Sequence, residues 1–139
     1  MTIRITTGLL VLTLIACHGS PTEPRVRAIT EGLWTGDGGV CLRVPSINQT
    51  PGTAMLTAGC WKGTFPTPDV RGDGTFEVEG TFRLEAGPVS NDPPPPAHYS
   101  GVLTNKTLTL TVTPTGPSAQ RTTFRLHPDP NGSCGPACL

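Results

Sequence analysis

Charge and aromatic side chains are both scarce in this chain. Charged residues make up 14% of its 139 residues and aromatic residues 5%. Ten basic and ten acidic residues cancel, so the concentrated positive charge that nucleic-acid binding needs is missing. The most apolar stretch, residues 8–15, falls short of the roughly 20 residues that carry a helix across a bilayer. No segment shows the 3.6-residue apolar period of an amphipathic helix. There is no Gly-x-Ser-x-Gly elbow. His98 and His127 are the only histidines beyond His18, and a hydrolytic triad needs an activated serine beside one of them. Tyr99-Ser100-Gly101 reads as ordinary strand, so an enzyme is not expected.

What is plentiful is glycine, with 17 residues, and proline, with 16. That composition means many turns and little helix. Between the turns runs a period-two alternation of apolar and polar residues, the mark of half-buried strands. In Thr75–Glu85 it puts Phe76, Val78, Phe82 and Leu84 on one face, with Gly80 as a bend or bulge on that face. In Thr107–Thr113 it sets Leu108, Leu110 and Val112 inward against outward threonines, pairing with His98–Leu103 across Asn105-Lys106. Arg121–His127 directs Phe124 and Leu126 inward. Asp37-Gly38 between Gly32–Thr35 and Val40–Val44 is a hairpin signal, with Val40, Leu42 and Val44 on one face and Cys41 and Arg43 on the other. Ala54–Trp61 is expected to form a third strand. Thr64–Pro68 is expected to leave regular pairing, because proline cannot donate to a ladder. Gly87–Ala97, with Pro93–Pro96, reads as a long surface loop. The expected fold is all-β: a small antiparallel barrel or sandwich of about seven or eight short strands.

The N-terminus has a different grammar. Arg4 precedes a short apolar run that ends Leu14-Ile15-Ala16-Cys17, the layout of an export signal. It resembles a bacterial lipoprotein signal: aliphatic, any residue, small residue, cysteine. That resemblance implies cleavage before Cys17 and a diacylglycerol on its sulfur. His18, standing where inner-membrane lipoproteins often carry Asp, points by the same class rule to the outer membrane of a double-membraned bacterium. The chain then divides into a signal peptide (1–16), a lipidated cysteine with a flexible tether (17–28) and a β-domain (29–139). Pro21 and Pro24 stiffen the tether, which reaches roughly 35 Å when extended.

Export sets the redox compartment. With Cys17 used by lipid, Cys41, Cys60, Cys134 and Cys138 remain, an even number suited to two disulfides. Four cysteines allow three connectivities. A Cys134–Cys138 bridge would be local and stabilise little, since the entropic effect grows with loop length. Long bridges, Cys41 with Cys134 and Cys60 with Cys138, would hold down a tail that otherwise frays. The spacings lack the paired short hooks of a zinc site, so no metal or other cofactor is expected. Cys134-Gly-Pro-Ala-Cys138 also has the look of a redox or copper motif, but lacks a nearby soft partner.

Two further resemblances bear on the fold. Gly32-Leu33-Trp34 looks like the Gly-x-Trp opening of lipocalins, in which the indole plugs one end of a barrel and a late arginine packs over it; Arg125 or Arg121 would take that part. Lipocalins imply an apolar ligand, and Trp34 and Tyr99 would line its site. Cys60-x-x-Gly63-x-Phe65, Asp73-Gly74-x-Phe76, Gly80, Gly87-Pro88, Ala97-x-Tyr99-x-Gly101, Leu108-Thr109-Leu110-x-Val112 and Cys138-Leu139 look like a group of small secreted bacterial β-proteins with no assigned activity. That likeness also implies a Cys60–Cys138 bridge.

Other motifs read more simply as structure. Asp37, Asp69 and Asp73 lie in Gly-rich turns without the dense alternating oxygens of a calcium loop. Arg71-Gly72-Asp73 is an adhesion tripeptide that also arises by chance. Asn48, Asn105 and Asn131 head sequons, and a turn role suffices for each. The expected protein is thus a lipid-anchored envelope β-domain, non-enzymatic, joined to the membrane through lipid on Cys17, with an unspecified protein or apolar ligand as its partner.

Overall fold

The computed structural model describes residues 27–46, 48, 52–88, 90–116 and 120–135. The expected signal peptide, Cys17, the tether up to residue 26 and Cys138 lie outside the described residues.

Ten strands make up the described fold: β1 Arg27–Ala28, β2 Gly32–Gly36, β3 Cys41–Val44, β4 Thr53–Ala58, β5 Trp61–Pro66, β6 Asp69–Val70, β7 Thr75–Leu84, β8 Pro96–Thr104, β9 Thr107–Pro114 and β10 Thr122–Pro128. Eight of them close into an antiparallel barrel in the order β10-β2-β3-β4-β5-β7-β8-β9, and β1 pairs with β6 in a separate two-stranded sheet. The only helical piece among the described residues is one 3-10 turn at Asp37–Gly39. An eight-stranded barrel has an interior just wide enough for side chains to fill. Here Trp34, Leu42, Leu56, Phe65, Phe76, Tyr99, Leu108, Leu110, Val112 and Leu126 fill it, all buried in one cluster.

The alternation in the sequence is what produces this interior. β9 buries Leu108, Leu110 and Val112 and turns its threonines outward, and β3 buries Leu42 and Val44 while exposing Arg43. The β8–β9 turn sits on Asn105 and Lys106 with φ of 47° and 64°, the left-handed pair that a two-residue hairpin turn requires.

Four local readings differ from the sequence pattern. The Ala54–Trp61 run is not one strand: Gly59, at φ 59°, turns it into a β4–β5 hairpin. Thr64, Phe65 and Pro66 therefore stay in the sheet, opposite Met55, Ala54 and Thr53. Pro66 is tolerated because the β5–β7 ladder has already ended at Thr64↔Thr81, which leaves that side of β5 without a ladder to break. Gly80 is no bulge, since the β7–β8 register runs unbroken from Thr75↔Val102 to Thr81↔Pro96. Its missing side chain instead leaves room for Phe65 Cβ and the Tyr99 ring, which a Cβ there would meet at 2.8 and 2.9 Å. Finally, Pro96 and Ala97 are not loop residues: they begin β8, and Ala97 is buried.

Both barrel ends follow from the hairpin order. At one end β2 begins, and here Trp34, Ile29 and Val70 belong to the core cluster. The Trp34 indole N–H donates to the Thr30 carbonyl at 2.9 Å, and the β1–β6 pair (Arg27↔Val70, Ala28↔Asp69) carries Ile29 and Val70 to the same end. Trp34, Ile29 and Val70, all buried, close this end. The arginine that the Gly-x-Trp resemblance would set over the indole is not packed there: Arg121 and Arg125 are exposed, and Arg125 sits between the inward Phe124 and Leu126 on β10. Strand alternation sends it outside the barrel.

Past β10 the chain doubles back along the outside. Asp129 N–H donates to Leu33 O at 2.8 Å, and Gly135 N–H to Gly39 O at 3.2 Å. Cys134 there bonds to Cys41 with Cα atoms 5.3 Å apart, one of the two long bridges expected. Cys41 points outward yet is buried, because this returning segment covers it. A local Cys134–Cys138 bridge is thereby ruled out. Cys60 is also disulfide-bonded.

Candidate functional site

The end opposite Trp34 carries the β2–β3 and β4–β5 turns and the loops after β7 and β9. It opens as a concave mouth of about 1020 Å³. Its apolar lining comes from strand ends: Val40 beside β3, Ala58 of β4, Trp61 of β5, Phe82 and Leu84 of β7, and Phe124 of β10. Residues of the loops at 90–95 and 114–116 form the rim.

The phase of these residues is the informative part. Trp61 lies on the same strand face as buried Gly63 and Phe65. Leu84 lies on the same face as buried Phe76 and Phe82. Both therefore point into the barrel, yet Trp61 is 41% and Leu84 51% exposed. Inward side chains stay wet only where the barrel stops being filled. Met55 is exposed for the ordinary reason, since it alternates with buried Ala54 and Leu56 and faces out.

Trp61 and Phe82 stack with ring centroids 5.1 Å apart and planes inclined by 13°. One layer below, Leu42, Leu56, Tyr99, Val112 and Leu126 are buried and none of them lines the mouth. The concavity is one side-chain layer deep, roughly 7 Å for two residues of strand.

Charge around the mouth is sparse and mostly paired. Arg83 donates from Nε and Nη2 to Glu85 Oε1 at 3.3 and 3.2 Å, and from Nη1 to the Asp92 carbonyl at 3.4 Å. Lys62 forms an ion pair with the other Glu85 oxygen. These contacts, Lys62 foremost and then Arg83, hold the Glu85 carboxyl below its ordinary value. Asp37 and Asp92 also line the mouth, and neither forms an ion pair among the described residues.

The residues singled out from sequence lie elsewhere. Trp34 plugs the far end. Tyr99 is fully buried, its hydroxyl donating to the Thr81 carbonyl at 2.6 Å and its ring 4.3 Å from that of Phe65; burial pushes its phenol well above the ordinary range. Neither residue lines the mouth. Both are packed into the core, apart from the mouth. His98 pairs with Glu79 at 2.7 Å on the outer face, and His127 Nδ1 meets Thr107 Oγ1 at 3.3 Å. No serine bonds either histidine among the described residues. No three metal-ligating side chains converge among them. Asp73 of the Arg-Gly-Asp turn accepts from the Thr75 hydroxyl at 2.7 Å and its N–H at 2.9 Å, which lowers its pKa, and Arg71 pairs with Glu77. That tripeptide is spent on its own turn. Asp69 lies in β6 rather than in a turn. Asn48, Asn105 and Asn131 sit at turns.

No family model, curated protein or solved structure matches the chain.

Proposed function

We propose that this is an exported, lipid-anchored binding barrel that holds a small apolar ligand in its mouth without transforming it. The observation that carries the reading is the wet, inward-facing pair Trp61 and Leu84 beside Phe82. Full burial of such a side chain is worth about 1.5–3 kcal/mol, and leaving these two about half exposed forgoes roughly half of that each. A ligand seated on them recovers part of that, and small-molecule sites are concave and mostly apolar for this reason.

The address in this reading comes from Leu14-Ile15-Ala16-Cys17, with diacylglycerol on Cys17, and from cysteines that suit an oxidising compartment. A single acyl chain anchors marginally and two anchor stably. The tether joins the barrel through β1, at the closed end. The attachment point then leaves the mouth unobstructed, and the tether lets it take its ligand from the aqueous side. The Gly-x-Trp opening at the closed end adds the lipocalin likeness.

The test uses the full chain in phosphatidylcholine nanodiscs and the neutral apolar dye N-phenyl-1-naphthylamine. Uptake with energy transfer from Trp61, lost in Trp61→Ala and weakened in Leu84→Ser while far-ultraviolet dichroism is unchanged, is the expected result. Absence of uptake by the folded wild type overturns the ligand reading. Intact mass of membrane-extracted protein tests the anchor: residues 17–139 plus acyl chains is expected, and an unacylated mass removes it.

A further inference from the structure

We infer that the ligand of this mouth is a flat aromatic cation, as distinct from a flexible acyl chain or an aromatic anion. The inference rests on the mouth-binding reading above and specifies its chemistry.

Depth comes first. An extended acyl chain needs a channel running several layers into a barrel. This one is stopped after a single layer by Leu42, Leu56, Tyr99, Val112 and Leu126, packed to nearly complete burial. What a wide, shallow concavity accommodates is a short, broad molecule.

Shape comes second. Trp61 and Phe82 lie nearly parallel, 13° apart. Phe82 covers one face of the indole, and the residue remains 41% exposed. A planar ring laid on the open face continues a stack that already exists, at the offset spacing aromatic pairs prefer. A flexible chain gains nothing from a flat platform.

Charge comes third. Arg83 is the sole cation of the described lining, and its guanidinium is taken up by Glu85 and the Asp92 carbonyl. An anionic ligand would have to break that arrangement to find a partner. Asp37 and Asp92 meanwhile present carboxylates at the rim without ion-pair partners among the described residues. A cation over the face of a tryptophan is attracted by the ring's quadrupole as well. Depth limits the ligand's length, the stack favours a flat ring and the charges favour a cation; together they specify a short, planar cation.

Three probes separate the possibilities in the same nanodisc preparation: proflavine (planar cation), anthracene-2-carboxylate (planar anion) and palmitate (flexible chain). Binding is read by quenching of tryptophan emission and by displacement of N-phenyl-1-naphthylamine. Proflavine is expected to bind at least tenfold tighter than either of the others. Asp37→Asn with Asp92→Asn is expected to shrink that preference to about threefold or less, and Trp61→Leu to abolish proflavine binding. Dye uptake at the mouth with palmitate or the anthracene anion binding as tightly as proflavine overturns this inference and leaves the mouth reading standing. Loss of the neutral dye as well overturns both. Unchanged preference in the double asparagine variant also overturns the charge assignment.

Discussion

The hydroxyl of Tyr99 occupies the space that a side chain on Gly63 would need. Phe82 and the Thr81 carbonyl crowd the same point at 2.9 and 3.2 Å. The barrel interior here is filled from β8 into a vacancy on β5, two strands away. Gly63→Ala is expected to destabilise by about 1–3 kcal/mol, the usual range for overpacking. Tyr99→Phe deletes the hydroxyl and strands the Thr81 carbonyl, for about 1–3 kcal/mol. In the double variant the alanine methyl enters space the hydroxyl has vacated, so the combined loss should fall short of the sum. Urea unfolding of the four proteins measures this, and strict additivity would show that the two residues do not share the space.

The two tryptophans should behave as opposites. Trp34 is buried at the closed end and Trp61 is half-exposed at the mouth. Trp61→Phe is expected to leave a blue-shifted emission that acrylamide quenches poorly. Trp34→Phe should leave a red-shifted emission that is readily quenched. Stern–Volmer slopes that do not differ would contradict the open mouth.

The Cys41–Cys134 bridge spans 93 residues of sequence. By chain entropy a loop of that size confers about 4–5 kcal/mol, less any strain in the native state. Cys41→Ser with Cys134→Ser is expected to lower stability by about 2–5 kcal/mol and to expose the back of β3 where the returning tail now lies. The denaturation midpoint, together with proteolysis near residues 129–135, checks both effects.

Glu85 gives the barrel an acid-sensitive contact. Its folded pKa lies below the ordinary value of 4.5, through Lys62 first and then Arg83. A lowered carboxyl pKa adds stability that is fully present above pH 4.5 and lost as pH falls through the folded pKa. Glu85→Gln should therefore flatten the loss of stability on the acid side of pH 4.5, at the expense of some stability at neutral pH. Thermal midpoints between pH 3 and pH 7 test it, and parallel curves for the two proteins would remove the pair from the account.

Much of this was legible in the alternation. Thr107–Val112 and Thr75–Phe82 announce their strands because the pleat sends alternate residues to opposite faces, and Asn105-Lys106 announces its turn. Loop length and the fate of a loose tail favoured long bridges over a local Cys134–Cys138 one, and the structure supplied the choice of Cys134 for Cys41. Height along the barrel axis was not legible. Alternation tells which face Leu84 and Phe76 share, but not that Phe76 is buried while Leu84 stands at an open mouth. That depends on where each strand ends relative to its neighbours, which the register sets. The same blindness affected Trp34 and Tyr99: their size marked them, yet large aromatics serve as filler at the bottom and middle of a small barrel. Trp61 and Phe82 became a pair only through the Trp61↔Leu84 and Gly63↔Phe82 register.

The cylinder closes where β10 meets β2, with Leu126 opposite Gly36 and Pro128 opposite Trp34. The first barrel strand thus waits for the last, and no length of chain short of residue 128 can complete the fold. Long-range pairings of this kind form slowly. On the export route proposed above, that delay would be useful. An emerging segment would stay unfolded until the final strand had been made, so the topology that shuts the barrel would also keep it from shutting before the chain had crossed.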